Sequence, residues 1–107
     1  LTPWKVIRNR LEKAAEGDFV ITIYNPRSKG RKEHLKKAVD IMLKYKSGET
    51  PVGIVKNSGR SNRSIVLTTL ANIDDERIDM LSVLIIGNSN TYIKDDYMIT
   101  PRGYDLK

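Results

Sequence analysis

Three apolar runs, each breaking off at an asparagine followed by turn residues, constrain this 107-residue chain more than any other feature. They are Phe19-Val20-Ile21-Thr22-Ile23-Tyr24 into Asn25-Pro26-Arg27-Ser28-Lys29-Gly30-Arg31, Val52-Gly53-Ile54-Val55-Lys56 into Asn57-Ser58-Gly59-Arg60, and Val83-Leu84-Ile85-Ile86-Gly87 into Asn88-Ser89. Short β-branched runs bounded by turn residues read as strands. The first, near-continuous over residues 18–24, reads as a strand buried on both faces. Between the first two runs, Leu35, Ala38, Val39, Met42 and Leu43 recur at helical spacing over residues 30–45. Strand, helix and strand predict a right-handed crossover with parallel strands. Ligands of open α/β sheets bind outside the carboxyl ends of the strands, so three polar strand ends predict one rim facing one ligand.

The remaining segments fill in the same pattern. Thr2-Pro3 reads as a helix start, with Pro3 at the first helical position. Trp4, Ile7, Leu11, Ala14 and Ala15 then place an apolar face on a helix over residues 3–16, and Gly17 reads as its left-handed cap. Residues 65–70 predict a third strand returning from the second as a hairpin. Asp74-Asp75-Glu76-Arg77 suggests one helical turn, and Lys94-Asp95-Asp96 reads as the turn of a small terminal hairpin. The expected fold class is α/β, a mixed, mostly parallel sheet flanked by helices, in a single domain over residues 1–107.

Composition removes several chemistries. There is no cysteine, hence no disulfide, thiolate zinc site or cysteine nucleophile. The one histidine, His34, rules out a multi-histidine metal site and reads as solvated or helix-packed. No metal ligand set is expected. No apolar run approaches the roughly 18 residues of a membrane span, and no signal-peptide pattern opens the chain, so a cytoplasmic location is expected. A net charge of +6 implies attraction to an anion. Arg31, Lys32, Lys36, Lys37 and Lys44 read as the solvated face of the second helix. The eight-residue P-loop pattern and Gly-x-Gly-x-x-Gly are both missing. Asp74, Asp75 and Glu76 read as capping residues at a short helix start, and no acid–base constellation stands out.

An asparagine at a strand end is first a turn residue. It also marks where backbone N–H and C=O groups go unpaired, ready for a heterocycle or polar ligand edge. Beyond the first two junctions, Arg27, Lys29, Arg31, Arg60 and Arg63 suit carboxylates, because guanidinium offers a bidentate fork. Two other readings stay open: a basic nucleic-acid-binding module, although an exposed aromatic platform is not evident in the pattern, and a protein-interaction domain.

The strings Leu1-Thr2-Pro3-Trp4, Tyr24-Asn25-Pro26-Arg27-Ser28-Lys29, Thr50-Pro51-Val52-Gly53-Ile54-Val55, Ile86-Gly87-Asn88-Ser89 and Met98-Ile99-Thr100-Pro101-Arg102-Gly103-Tyr104 resemble the precorrin-3B C17-methyltransferases of the tetrapyrrole methylase family. The resemblance covers the C-terminal domain of that family, and Leu1 in place of an initiator methionine fits an absent N-terminal half. It implies an S-adenosylmethionine-dependent enzyme of cobalamin biosynthesis that methylates C17 of a polycarboxylate tetrapyrrole and contracts the ring. The cofactor lies between two domains, and any cobalt is held by the macrocycle. The family's cofactor contacts carry over to Asn25 and to Ser58 with its neighbour Asn57. Many relatives have methionine at the first of these positions and glycine or alanine at the second, so Asn25 and Ser58 depart from the wider pattern. The substrate's carboxylates give Arg27, Lys29, Arg31, Arg60 and Arg63 a partner. The N-terminal domain and a second copy are the expected protein partners, with no nucleic acid and no membrane.

Overall fold

Helix α1 (Trp4–Glu16) starts one residue later than the sequence predicts. Pro3 takes the capping position without a side-chain cap, and its carbonyl accepts the N–H groups of Val6 and Ile7. The other end is also rearranged. Gly17 has φ −81°, and it is Asp18, at φ 61°, that turns left-handed. Asp18 N–H donates to Ala15 O and Phe19 N–H to Ala14 O, the paired bonds of a Schellman motif. Gly17 is there for room, since a Cβ on it would stand 2.8 Å from the Phe19 ring.

The computed structural model describes residues 2–24, 32–57, 63–73, 78 and 82–102. After α1 come β1 (Ile21–Tyr24), α2 (Lys32–Met42), β2 (Pro51–Asn57) and β3 (Arg63–Thr69). A 3-10 turn (Leu70–Asn72), β4 (Ser82–Ile86), β5 (Tyr92–Lys94) and β6 (Tyr97–Ile99) complete the described elements. The predicted helical turn at Asp74 to Arg77 lies outside the described residues.

The main sheet has the order β1-β4-β2-β3, and every neighbouring pair is antiparallel. This overturns the expected mostly parallel sheet. Strands β1 and β2 do run in the same direction, as a crossover through α2 demands, but β4 lies between them. The cause is the second return of the chain. Strand β3 ends where β2 begins, with Thr69 opposite Pro51, and β4 starts at the other rim, with Ser82 opposite Lys56. Each parallel relation is therefore one strand apart, and the ladder itself is wholly antiparallel.

Edge placement also explains β1. Thr22 and Tyr24 are exposed, as are Phe19 and Val20 ahead of the strand, so the run is not buried on both faces. Both helices cover one face only. Leu11 and Ala15 of α1 with Leu35, Ala38, Ile41 and Met42 of α2 meet Ile21, Val52, Ile54, Leu84 and Ile86 in one core. Each fully buried large side chain there contributes about 1.5–3 kcal/mol. Leu43, predicted on the stripe, is exposed because α2 ends at Met42. On the opposite face lies the β5–β6 hairpin, whose Met98 sulfur would stand 3.5 Å from a Cβ placed on Gly53. Its turn residues Asp95 and Asp96 both have positive φ, as a type I′ turn requires. No described helix is long and apolar enough to cross a membrane.

Candidate functional site

Two of the three asparagine junctions share a rim. Tyr24 and Val55 both lie opposite Val83, one on each side of β4, so the chain leaves β1 toward Asn25 and β2 toward Asn57 and Ser58 at the same end of the sheet. Asn57 and Arg63 face each other at the end of the β2–β3 pairing. The side chains of Asn57 and Arg63, and all of Asn25, Arg27, Lys29, Arg31, Ser58 and Arg60, lie outside the described residues.

The third junction is elsewhere. Because β4 is antiparallel to β1 and β2, Gly87, Asn88 and Ser89 leave at the opposite rim, beside Pro51. The expectation of one rim for all three fails there. Asn88 closes a local turn instead, its side-chain oxygen accepting from Asn90 N–H at 2.9 Å and its own N–H donating to Thr91 Oγ1 at 2.8 Å.

That far rim holds a polar cluster that the sequence conceals. Lys46, read as part of a loop, is only 7% exposed. Its ammonium donates to Phe19 O and to Gly87 O, each at 2.9 Å, tying the entry to β1 to the exit of β4. Burial pushes its pKa below the usual lysine value, and the Asp18 charge opposes that. Asp18 accepts from both the hydroxyl and the backbone N–H of Ser89. Those two bonds hold its carboxyl below the usual range, against a smaller effect of burial and helped by Lys46. A cavity of about 290 Å³ opens beside them, lined in part by Tyr45, Glu49 and Thr50. The only sequence signal for this cluster was Asp18 directly after a helix-ending glycine, a position where a short polar side chain tolerates left-handed geometry.

A lowered carboxyl pKa in the folded state stabilises above the unfolded value of 3.8 and ceases to do so as pH falls through the folded one. The stability advantage of the natural chain over Asp18→Asn is therefore expected to be full near neutrality and to shrink between about pH 5 and pH 2. Urea unfolding of both proteins across that range measures it, and a constant difference would refute the Asp18–Ser89 clamp.

His34 stacks on Trp4, ring centroids 4.7 Å apart, in agreement with its helix-packed reading. Among the described residues no group of three His, Asp or Glu side chains is placed to hold a metal.

The fold matches that of a methyltransferase. A crystal structure of the methyltransferase CobJ superposes with a TM-score of 0.86 at 27% identity, over 94% of this chain and 42% of that one. The cobalt precorrin-4 methyltransferase CbiF shares the fold at a TM-score of 0.57 and 22% identity, over 72% of this chain and 32% of that one. In sequence, the chain is 54% identical over 106 residues to the probable cobalt-factor III C(17)-methyltransferase of Salmonella typhimurium, covering 99% of this chain and 44% of the relative. It is 48% identical over 111 residues to the protein of the same description from Methanocaldococcus jannaschii, covering 97% and 45%. It is 38% identical over 109 residues to the precorrin-3B C(17)-methyltransferase of a Sinorhizobium species, covering 97% and 43%. No protein-family model matches. Over nearly its whole length the chain is similar to the C-terminal part of proteins described as cobalt-factor III or precorrin-3B C17-methyltransferases. It spans less than half the length of these relatives.

Proposed function

We propose that the chain is the C-terminal half of a two-domain methyltransferase that takes a methyl group from S-adenosylmethionine to C17 of a precorrin-3-type tetrapyrrole, with contraction of the ring, in cobalamin biosynthesis. The observation that carries this reading is the 54% identity, across nearly the whole chain, to a relative described as a C17-methyltransferase. The sheet is consistent with it, because β1 and β2 run in one direction and bring the junctions at Asn25 and at Asn57 to the same end of the sheet.

When bound, S-adenosylmethionine supplies an electrophilic sulfonium methyl. Asn25, Asn57 and Ser58 hold that cofactor. Arg27, Lys29, Arg31, Arg60 and Arg63 orient the substrate through its carboxylates, which assigns the net charge of +6 to substrate and not to nucleic acid. Positioning a carbon nucleophile against an electrophile can supply about 7–11 kcal/mol of a barrier. One wall of a cleft cannot enforce that alignment, so the N-terminal half is a required partner. A cytoplasmic homodimer completes the reading.

The test is transfer of radiolabelled methyl to cobalt-bearing and metal-free precorrin-3 substrates. The chain fused to the N-terminal part of its relatives is expected to turn over, and the 107 residues alone are expected not to. Turnover by the short chain would refute the division of labour, and inactivity of the fusion on both substrates would refute the assignment.

A further inference from the structure

The cavity beside Asp18 and Lys46 is lined by polar groups that the fold leaves unused. Thr50 is one of them, and it is only 7% exposed. Its backbone is held on both sides, the N–H donating to Ser47 O at 3.1 Å and the carbonyl accepting from Leu70 N–H at 2.9 Å. Its hydroxyl makes no hydrogen bond among the described residues and is not sealed in protein, so it opens on the cavity. A buried hydroxyl without a partner costs free energy. Lys46 repeats the pattern. An ammonium has three N–H groups, and the carbonyls of Phe19 and Gly87 take two of them. Ser89 engages each carboxylate oxygen of Asp18 once, which leaves both with a further lone pair. Glu49, exposed on the same lining, pairs with no cation among the described residues.

We propose that this cavity is a binding site for a small zwitterion of the α-amino-acid class. Thr50 Oγ1 and the carboxylates of Glu49 and Asp18 receive its ammonium, and the third N–H of Lys46 donates to its carboxylate. The lining selects that class. Two carboxylates against one ammonium leave an excess negative charge there, in a chain of net charge +6. A bare anion would meet both carboxylates, and a bare amine would leave the Lys46 N–H without an acceptor. A metal ion is unsuited, since among the described residues no group of three His, Asp or Glu side chains is placed to hold one. A molecule with ammonium and carboxylate one carbon apart offers a donor to the acidic groups and an acceptor to Lys46 at once. The volume, about 290 Å³, is that of a small-molecule site. Tyr45 and Pro51, also on the lining, offer apolar surface to the ligand's side chain.

The test is a thermal-unfolding screen of the chain against the standard amino acids at about 10 mM, followed by calorimetry. At least one with an apolar side chain is expected to raise the midpoint and to bind with a Kd of about 1 mM or tighter. The amine lacking its carboxylate and the acid lacking its ammonium are each expected to bind about tenfold more weakly. Thr50→Val removes the hydroxyl and breaks no bond within the protein. It is therefore expected to keep the circular dichroism and urea midpoint of the natural chain while weakening binding about tenfold. Glu49→Gln is expected to weaken binding about threefold. Glu33→Gln, on the first turn of α2 and outside the lining, is expected to bind as the natural chain does. Absence of binding by every amino acid overturns the site and leaves the cavity to water. Equal binding of the amine overturns the pairing of Lys46 with a ligand carboxylate, and unchanged affinity in Thr50→Val overturns the location. Each of these outcomes leaves the methyltransferase reading as it stands.

Discussion

Replacing Lys46 by methionine is expected to destabilise the chain by about 1–3 kcal/mol, because the buried carbonyl of Gly87 is left without its donor while the part-buried carbonyl of Phe19, nearer to water, loses less. The carbonyls are those of Phe19 and Gly87, each 2.9 Å from the ammonium. Methionine keeps most of the apolar stem, so the change isolates the polar head. Relief of the buried charge partly offsets the loss, as the lowered lysine pKa shows. The urea midpoint is expected to fall with an unchanged slope. The pH dependence is a second signature. A lysine whose folded pKa lies below the unfolded value of 10.5 costs stability while charged, and that cost fades as pH rises through the folded value toward the unfolded one. The gap between the natural chain and Lys46→Met is therefore expected to widen at alkaline pH. A midpoint unchanged at neutral pH would remove Lys46 from the structure's supports.

Gly87→Ala is expected to cost about 2–4 kcal/mol, from overpacking of about 1–3 kcal/mol together with weakened hydrogen bonds. A Cβ at residue 87 would lie 2.6 Å from Thr91 Cβ, 2.6 Å from its Oγ1 and 2.7 Å from its Cγ2. Thr91 has little freedom to retreat. It is 8% exposed, and its Oγ1 accepts from Asn88 N–H at 2.8 Å and bonds Thr100 Oγ1 at 2.7 Å. Thr91→Ala removes Oγ1 and Cγ2, so in the Gly87→Ala background it is expected to recover part of the loss. Thermal unfolding of the single and double variants completes the cycle, and strict additivity would show that Thr91 Oγ1 and Cγ2 take no part in the clash.

The elements that depend on local pattern were legible. The apolar spacing of Trp4, Ile7, Leu11 and Ala15 located α1, and the runs about Gly59 and about Asp95-Asp96 located the β2–β3 and β5–β6 hairpins. Strand neighbours were not. Periodicity tells which side of a strand is apolar, but the insertion of β4 between β1 and β2 is decided by contacts far apart in the chain, and with it went Asn88 to the wrong rim. Lys46 was hidden for the same reason: its partners lie 27 and 41 positions away, and Lys46-Ser47-Gly48-Glu49 has the composition of any solvated loop. At the candidate site, the common rim of the first two junctions was readable from strand direction. The exposure of Tyr24 and Ile65 was not, because the same β-branched and aromatic residues would serve a buried strand equally well.

The interleaved sheet also dictates an order of assembly. Hairpin β2–β3 can close as soon as it is synthesised, but β1 pairs only with β4 within this sheet. Strand β1, the first of the four to be synthesised, is therefore the last to find its place, waiting unpaired until residues 82–86 emerge. Such delayed, long-range pairing slows folding and leaves an apolar edge open to other chains in the meantime. A nascent chain stalled before β4 would carry that edge as its point of vulnerability.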